Sequence, residues 1–333
     1  MSKALRCCVI GATGNWYRNI HHPSLVRLVD AGRVRLAAAS SRSADGQKAL
    51  REMGFGQVYA DADEMLAAEQ PDYVVLSMAV QPMAEMAIRV FDRKIPLFME
   101  KPAGNNVATA ERVRQAAERA GVPHLVAYNR RFNPLILRAR ELIAGRRVSQ
   151  VMCDWLRNDT VAPSRLMGSS LHALDALRFL LGEVRDFCGV RAEIQYFDKK
   201  MVAASLALRF ESGVVGSFTF NVRAGCSYEC YSIFAENWTV SISQAAPGKF
   251  DETWWLKVEE DNRTVESITA DDLTPEQRCG QYAHGFWREH EYFVECLNNG
   301  SKPLPDVADG IISMDLAQRM LKAVAPEGQV AKD

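Results

Sequence analysis

Three stretches of this chain carry residue types whose spacing could do chemistry. Leu97-Phe98-Met99 is an apolar, strand-prone run after Pro96, and it ends in Glu100-Lys101-Pro102. Proline removes a ladder donor and keeps the residue before it out of the helical region, so a carboxylate and an amine are left side by side at the strand end. Ligands of open parallel sheets sit at the carboxyl ends of strands. Lys101 there, with Glu100 beside it, could donate or accept a proton at a reacting carbon–oxygen bond. Taken alone, the pair reads as easily as solvated loop charges, and the surrounding chain decides. The second stretch is Gly11-Ala12-Thr13-Gly14-Asn15-Trp16, which follows the apolar run Leu5 to Ile10 and opens a helix-like segment through Leu28. Strand, glycine turn and helix are the context of a dinucleotide fingerprint: a tight turn, N–H groups facing a pyrophosphate, and a helix N-terminus that favours negative charge. Thr13 stands at the second glycine position and Trp16 at the third. Gly14 still lets backbone approach a phosphate, and Thr13 adds a hydroxyl donor. The third stretch, Ser41-Arg42, ends a second strand, Val34 to Ser40. A small hydroxyl and a guanidinium at this point suit the 2′-phosphate of NADP, where an acid would suit NAD; the bland alternative is a polar loop.

The elements that must position these groups alternate. Helices are expected at Ala44 to Met53, Ala62 to Ala67, Ala84 to Asp92 and Val107 to Ala120, with strands at Gln57 to Tyr59, Tyr73 to Ser77, Pro96 to Met99 and Leu125 to Tyr128. This βαβ spacing describes a Rossmann-type doubly wound parallel sheet, assigned to residues 1–128. From Asn129 the texture changes. A helix ending at Gly145 leads to longer, partly alternating runs at Gln150 to Leu156, Val190 to Tyr196, Ala203 to Phe210, Val214 to Val222 and Tyr228 to Ile233, with a hairpin turn at Ser212-Gly213. Helices are expected at Ser170 to Leu181 and Gly310 to Val324. Residues 129–333 therefore read as an α+β domain with a large, mostly antiparallel sheet. Val214, Gly216, Phe218 and Phe220 alternate on one strand face and are expected to form an exposed apolar association surface, hence a homodimer or homotetramer.

Bulk properties narrow the class. The 333 residues, 48% hydrophobic with a formal net charge of −1, describe a globular protein of two domains. Near-neutral charge argues against nucleic-acid and membrane partners. No apolar run reaches membrane-spanning length, and a strand follows the N-terminus at once, so a cytoplasmic protein is expected. The eight cysteines are scattered without a C-x-x-C pair, which reads as free buried thiols and no metal site.

Together, the glycine turn, Glu100-Lys101-Pro102, Asn129-Arg130-Arg131-Phe132-Asn133-Pro134, His172-Ala173-Leu174-Asp175 and the ending Phe293 to Gly310 resemble the Gfo/Idh/MocA oxidoreductases, which include glucose–fructose oxidoreductase and inositol dehydrogenase. The resemblance implies nicotinamide at the domain junction and hydride transfer to or from a carbon of a sugar, ketosugar or cyclitol. It implies that Lys101 lies near nicotinamide and substrate and that His172 exchanges a proton with the reacting hydroxyl. On its own, His172 on an apolar helix reads as a core histidine. The expected cofactor contacts are Gly11, Thr13, Gly14, Asn15, Trp16, Ser41, Arg42, Glu100 and Lys101, with NADP favoured and NAD possible. The expected substrate contacts are Asn129, Arg157, Asn158, Asp175 and Tyr282, joined by His284 and the loop through Met167. Three positions depart from the family pattern: the incomplete glycine fingerprint, Met78-Ala79 and Met83 where a Thr-Pro and a histidine are common, and Gly168 where an aspartate usually precedes the histidine. Two alternatives stay open: a relative that keeps its nicotinamide bound for glycoside cleavage or elimination, and a non-catalytic binding protein.

Overall fold

The computed structural model describes residues 3–158, 168–191, 203–245 and 253–324. The chain divides into two compact units, one of Met1–Tyr128 with Phe286–Ile312 and one of Asn129–Gly285 with Ser313–Asp333.

In the first unit β1 (Leu5–Ile10), β2 (Val34–Ser40), β3 (Gln57–Tyr59), β4 (Tyr73–Leu76), β5 (Leu97–Met99) and β6 (His124–Val126) form a parallel sheet in the order β3-β2-β1-β4-β5-β6. The order reverses between β1 and β4, which creates the crevice where such sheets take ligands. Because helices cover both faces, the strands are apolar almost throughout; all of β4 and β5 is buried. The helices are α1 (His22–Asp30), α2 (Ala44–Glu52), α3 (Ala62–Glu69), α4 (Val80–Asp92) and α5 (Val107–Ala120). Their starts follow capping chemistry: Ser43, Asp61 and Asn106 each accept hydrogen bonds from first-turn N–H groups. Ahead of α1 the helix has a π segment, Tyr17–His21, closed by the N–H of His22 on the carbonyl of Tyr17. His21, the last residue of this segment, is buried and meets Phe98 of β5 edge-on at 5.7 Å.

The second unit opens with α6 (Pro134–Ile143), which has Pro134 in its first turn and Asn133 Oδ1 accepting from Leu135 and Ile136. Then come β7 (Gln150–Asn158), α7 (Leu171–Leu181), β8 (Val184–Arg191), β9 (Ala203–Phe210), β10 (Val215–Asn221), β11 (Arg223–Ala235), β12 (Trp238–Ala245), β13 (Trp255–Glu260), β14 (Arg263–Ile268) and the short α8 (Gly280–Ala283). The eight-stranded sheet runs β14-β13-β12-β11-β7-β10-β9-β8 and is antiparallel except for β7 with β10. The expected turn at Ser212-Gly213 joins β9 to β10. Beyond Arg191, the run expected to reach Tyr196 lies outside the described residues.

The face expected to be exposed is the core. Val214 is 5% accessible and Phe218 and Phe220 are fully buried, with Phe220 stacked on Trp155 at 5.2 Å between centroids. Cross-strand register puts Cys153, Tyr231, Ile233, Val240 and Ile242 on the same face, so a continuous apolar layer forms, with α6 packed along β12. The opposite face carries Met152, Ser217, Thr219, Ser232 and Ser241. The cysteines are free, but only Cys7, Cys8, Cys153 and Cys296 are buried. Cys188 lies on edge strand β8 and Cys226 where the β11 register shifts, and both are exposed.

The chain then returns to the first unit through α9 (Phe286–Asn299) and begins α10 (Val307–Val324). Phe293 packs against Tyr73 and Phe98, and the N–H of Val126 donates to the carbonyl of Pro305 at 2.9 Å. Among the described residues no helix is long and apolar enough to cross a membrane.

Candidate functional site

The first unit gathers one set of candidate residues at the carboxyl ends of β1, β2, β4 and β5. Gly11 holds φ +87°, and a Cβ there would lie 2.0 Å from the carbonyl oxygen of Ser77, which follows β4. Only glycine allows β1 to turn this close to its neighbour. The N–H of Gly14 closes the turn on the carbonyl of Gly11 at 3.2 Å, and helix follows at once. Gly14, Asn15 and Trp16 are exposed, so the start of this helix is open to solvent. These are the features a dinucleotide pyrophosphate requires, and the residues present fit one. Ser41 lies against Gly46 at the start of α2, and Arg42 is exposed beside it.

At the end of β5, Glu100 is nearly buried and multiply held. Its Oε1 accepts from the Trp16 indole at 2.6 Å and lies 2.7 Å from His21 Nε2, while Oε2 accepts from the Lys101 N–H at 3.1 Å. Burial pushes this carboxyl up. The hydrogen bond and charge of His21, the charge of Lys101 and the indole outweigh it and hold Glu100 below the ordinary carboxylate range. Lys101 is partly exposed. An anchored carboxylate therefore sits next to an ammonium group that reaches the surface at the sheet's ligand-binding edge. His21 and His290 belong to this cluster, and neither was singled out in the sequence. Both are distant in sequence from Glu100, His21 at the end of the π segment and His290 on α9. With Glu289 they bring potential metal-ligand atoms within 4.8 Å of one another.

The second unit holds the remaining candidates. His172 lies in the first turn of α7 and is buried, as are nearly all its neighbours on that helix. Asp175 is fully buried, with Arg131 donating to both oxygens at 2.7 Å and Ser313 Oγ at 2.8 Å. These bonds fasten α7 to Arg131 and Ser313. Arg157 is also hydrogen-bonded on several sides. It donates to the carbonyls of Leu156 and Tyr228 and to Glu229, which Arg130 also grips in a two-pronged pair. Charge from both arginines, outweighing burial, lowers the Glu229 carboxyl to about 2. Asn129 is buried and donates to the carbonyl of His284 at 2.6 Å. Gly285, at φ +83°, follows that contact; a Cβ there would strike the backbone of Phe132, Asn129 and Asn133 at 2.4–2.5 Å. Asn158 is exposed and Tyr282 half-buried, with burial raising the Tyr282 phenol. The rest of the expected specificity loop, 159–167, lies outside the described residues, and Gly168 is partly exposed at its edge.

The switch-point crevice and the glycine turn are those of a dinucleotide-binding, Rossmann-type fold. Residues 5–128 match the NAD-binding Rossmann fold of the Gfo/Idh/MocA oxidoreductase family, and residues 140–331 match that family's C-terminal alpha/beta domain. The chain belongs to the Gfo/Idh/MocA oxidoreductases. It is 22% identical over 344 residues to the scyllo-inositol 2-dehydrogenase (NAD+) of Bacillus subtilis, covering 95% of this chain and 93% of that one. It is 27% identical over 214 residues to the D-apiose dehydrogenase of Paraburkholderia graminis, a match that spans 60% of this chain and 54% of that protein. An oxidoreductase from Agrobacterium radiobacter, solved with NAD+, L-tartaric acid and magnesium, superposes with a TM-score of 0.77 at 18% identity, covering 97% of this chain and 96% of the other.

Proposed function

We propose that this oxidoreductase transfers a hydride between NADP and a carbon of a sugar, ketosugar or cyclitol. The observation that carries the reading is the Glu100–Lys101 pair, its carboxylate anchored by His21 and Trp16 at the carboxyl end of β5. Nicotinamide, when bound, supplies the hydride chemistry. Gly11, Gly14 and the helix N-terminus behind them would hold the pyrophosphate, with Thr13 and Asn15 at the turn. Arg42 and Ser41 would take the 2′-phosphate, since a guanidinium pairs with phosphate through two parallel bonds. NAD stays possible, as the turn itself serves both cofactors. Lys101 would hold a proton at the reacting oxygen, and His172 would exchange a proton with the same hydroxyl. Asn129, Asn158 and Tyr282 are proposed as substrate contacts, whereas the bonding of Arg157 and Asp175 favours a structural part for both. We also propose a homodimer or homotetramer, now built on the open sheet face that carries Met152 and Val215.

The test is a panel of keto-sugars and inososes incubated with NADPH or NADH and followed by nicotinamide absorbance. Stoichiometric loss of NADPH with one class of carbonyl supports the reading. Product formed without consumption of added cofactor would point instead to a retained nicotinamide.

A further inference from the structure

Behind the Glu100–Lys101 pair runs a chain of buried polar side chains that hydride transfer does not use. His290 Nε2 lies 2.9 Å from His21 Nδ1, and His21 Nε2 lies 2.7 Å from the Glu100 oxygen that also accepts the Trp16 indole. The two imidazoles are 1% and 0% accessible. Their ring planes are set by aromatic packing. His290 stacks on Phe98 at 4.2 Å, while His21 meets Phe98 and Phe286 edge-on at 5.7 and 6.1 Å. Hydrogen bonds between rings held this way have fixed directions. An ionised Glu100 can only accept, so His21 Nε2 must carry a proton and donate it. One hydrogen is then shared between His21 Nδ1 and His290 Nε2. Burial pushes His290 well below the usual imidazole range, so it serves as a neutral partner. At the far end stands Trp16, 38% exposed at the third-glycine position of the turn, its ring edge-on to Phe286 at 5.7 Å.

We propose that His21 and His290 are positioning residues that act through Glu100 to fix Trp16 at the mouth of the glycine turn. A bulky indole in place of glycine must be held out of the phosphate's path, and the carboxylate holds it by its N–H. The direct bond between the imidazoles makes this a proton-bonded strut and leaves no part for a metal among His21, Glu289 and His290. The effect on cofactor binding rests on the nicotinamide reading above; the strut itself does not.

The test begins without cofactor, on protein labelled with nitrogen-15 in its six tryptophans. Trp16→Phe assigns the Trp16 indole signal. In His290→Leu that signal should move toward the position of a water-bonded indole, and NADPH should bind about tenfold more weakly by fluorescence titration. His290→Gln, which keeps a donor and an acceptor, should restore both. His290→Met removes both nitrogens at similar volume and carries the same test should the leucine variant not fold. An unmoved Trp16 signal in a folded His290→Leu or His290→Met protein would overturn the proposal, as would one equivalent of tightly bound metal in the purified wild type. Indole shifts as expected in a wild type that binds neither NADPH nor NADH would support the strut and remove the nicotinamide reading alone.

Discussion

Arg42 is exposed at the end of β2, where it can meet a phosphate without first breaking another bond in the core. A charge-assisted pair of this kind contributes about 1.5–3 kcal/mol, so Arg42→Ala should weaken NADPH binding by roughly ten- to a hundredfold and leave NADH almost unchanged. Equal affinity of the wild type for the two cofactors, measured by titration, would remove the basis for that expectation. Lys101 and His172 invite a second measurement. A positioned acid–base group contributes about 10²–10⁴-fold, so alanine at either residue should lower turnover by that range, and the double variant should lose less than the product of the two. Gly168→Asp separates two explanations of the missing acid. A rise in KM would mean that glycine makes room for substrate, and a rise in kcat would mean that His172 lacks an orienting partner. At this scale the sequence displayed Lys101, Glu100 and the glycine turn, because strand ends and prolines mark them. It could not display Arg131 and Glu229 as partners of Asp175 and Arg157, since they lie far from them in the chain.

Among elements, the clearest consequence belongs to β7, β11 and the turn at Asn129–Phe132, joined by one carboxylate. Glu229 is buried between Arg130 and Arg157, with the Tyr231 hydroxyl and the Gln244 amide on the same oxygen. Removing its charge leaves two guanidinium groups buried without an anion, which costs about 3–5 kcal/mol, so Glu229→Gln should show a large fall in Tm. The sign of the pH effect follows from the lowered carboxyl. The stabilisation is complete above about 4.5 and disappears as pH falls toward about 2. Wild type should lose Tm across that window, while the glutamine variant should be flatter there. The helices and strands of the parallel sheet were legible because their apolar runs are uniform and their caps local. β14 was not, because a short edge strand such as Arg263–Ile268 carries little apolar alternation; β12 and β13 do alternate, and their pattern was passed over. The alternation in β10 was read correctly, but the side it faces is set by which helices cover it.

For the whole molecule, the sheet face that carries Met152 and Val215 is the surface proposed for assembly. Met152 and Val215 are 44% and 49% accessible, set among serine and threonine side chains suited to close sheet contact. Light scattering at micromolar concentration should give a dimer or tetramer, and Met152→Glu with Val215→Glu should shift it to monomer without unfolding the chain. A monomeric wild type would contradict the proposal.

The return of Phe286–Ile312 to the first unit has a consequence for biosynthesis. The ribosome finishes all six strands of the parallel sheet long before it makes the helix that covers Tyr73 and Phe98. A nascent chain of the first 128 residues would leave that apolar patch wet, and the edge of β6 would lack the carbonyl of Pro305. Expressed alone, such a fragment should aggregate, and one extended by a short linker into residues 286–312 should stay in solution. Stalled or truncated synthesis of this protein is therefore a hazard that a contiguous nucleotide-binding domain would escape.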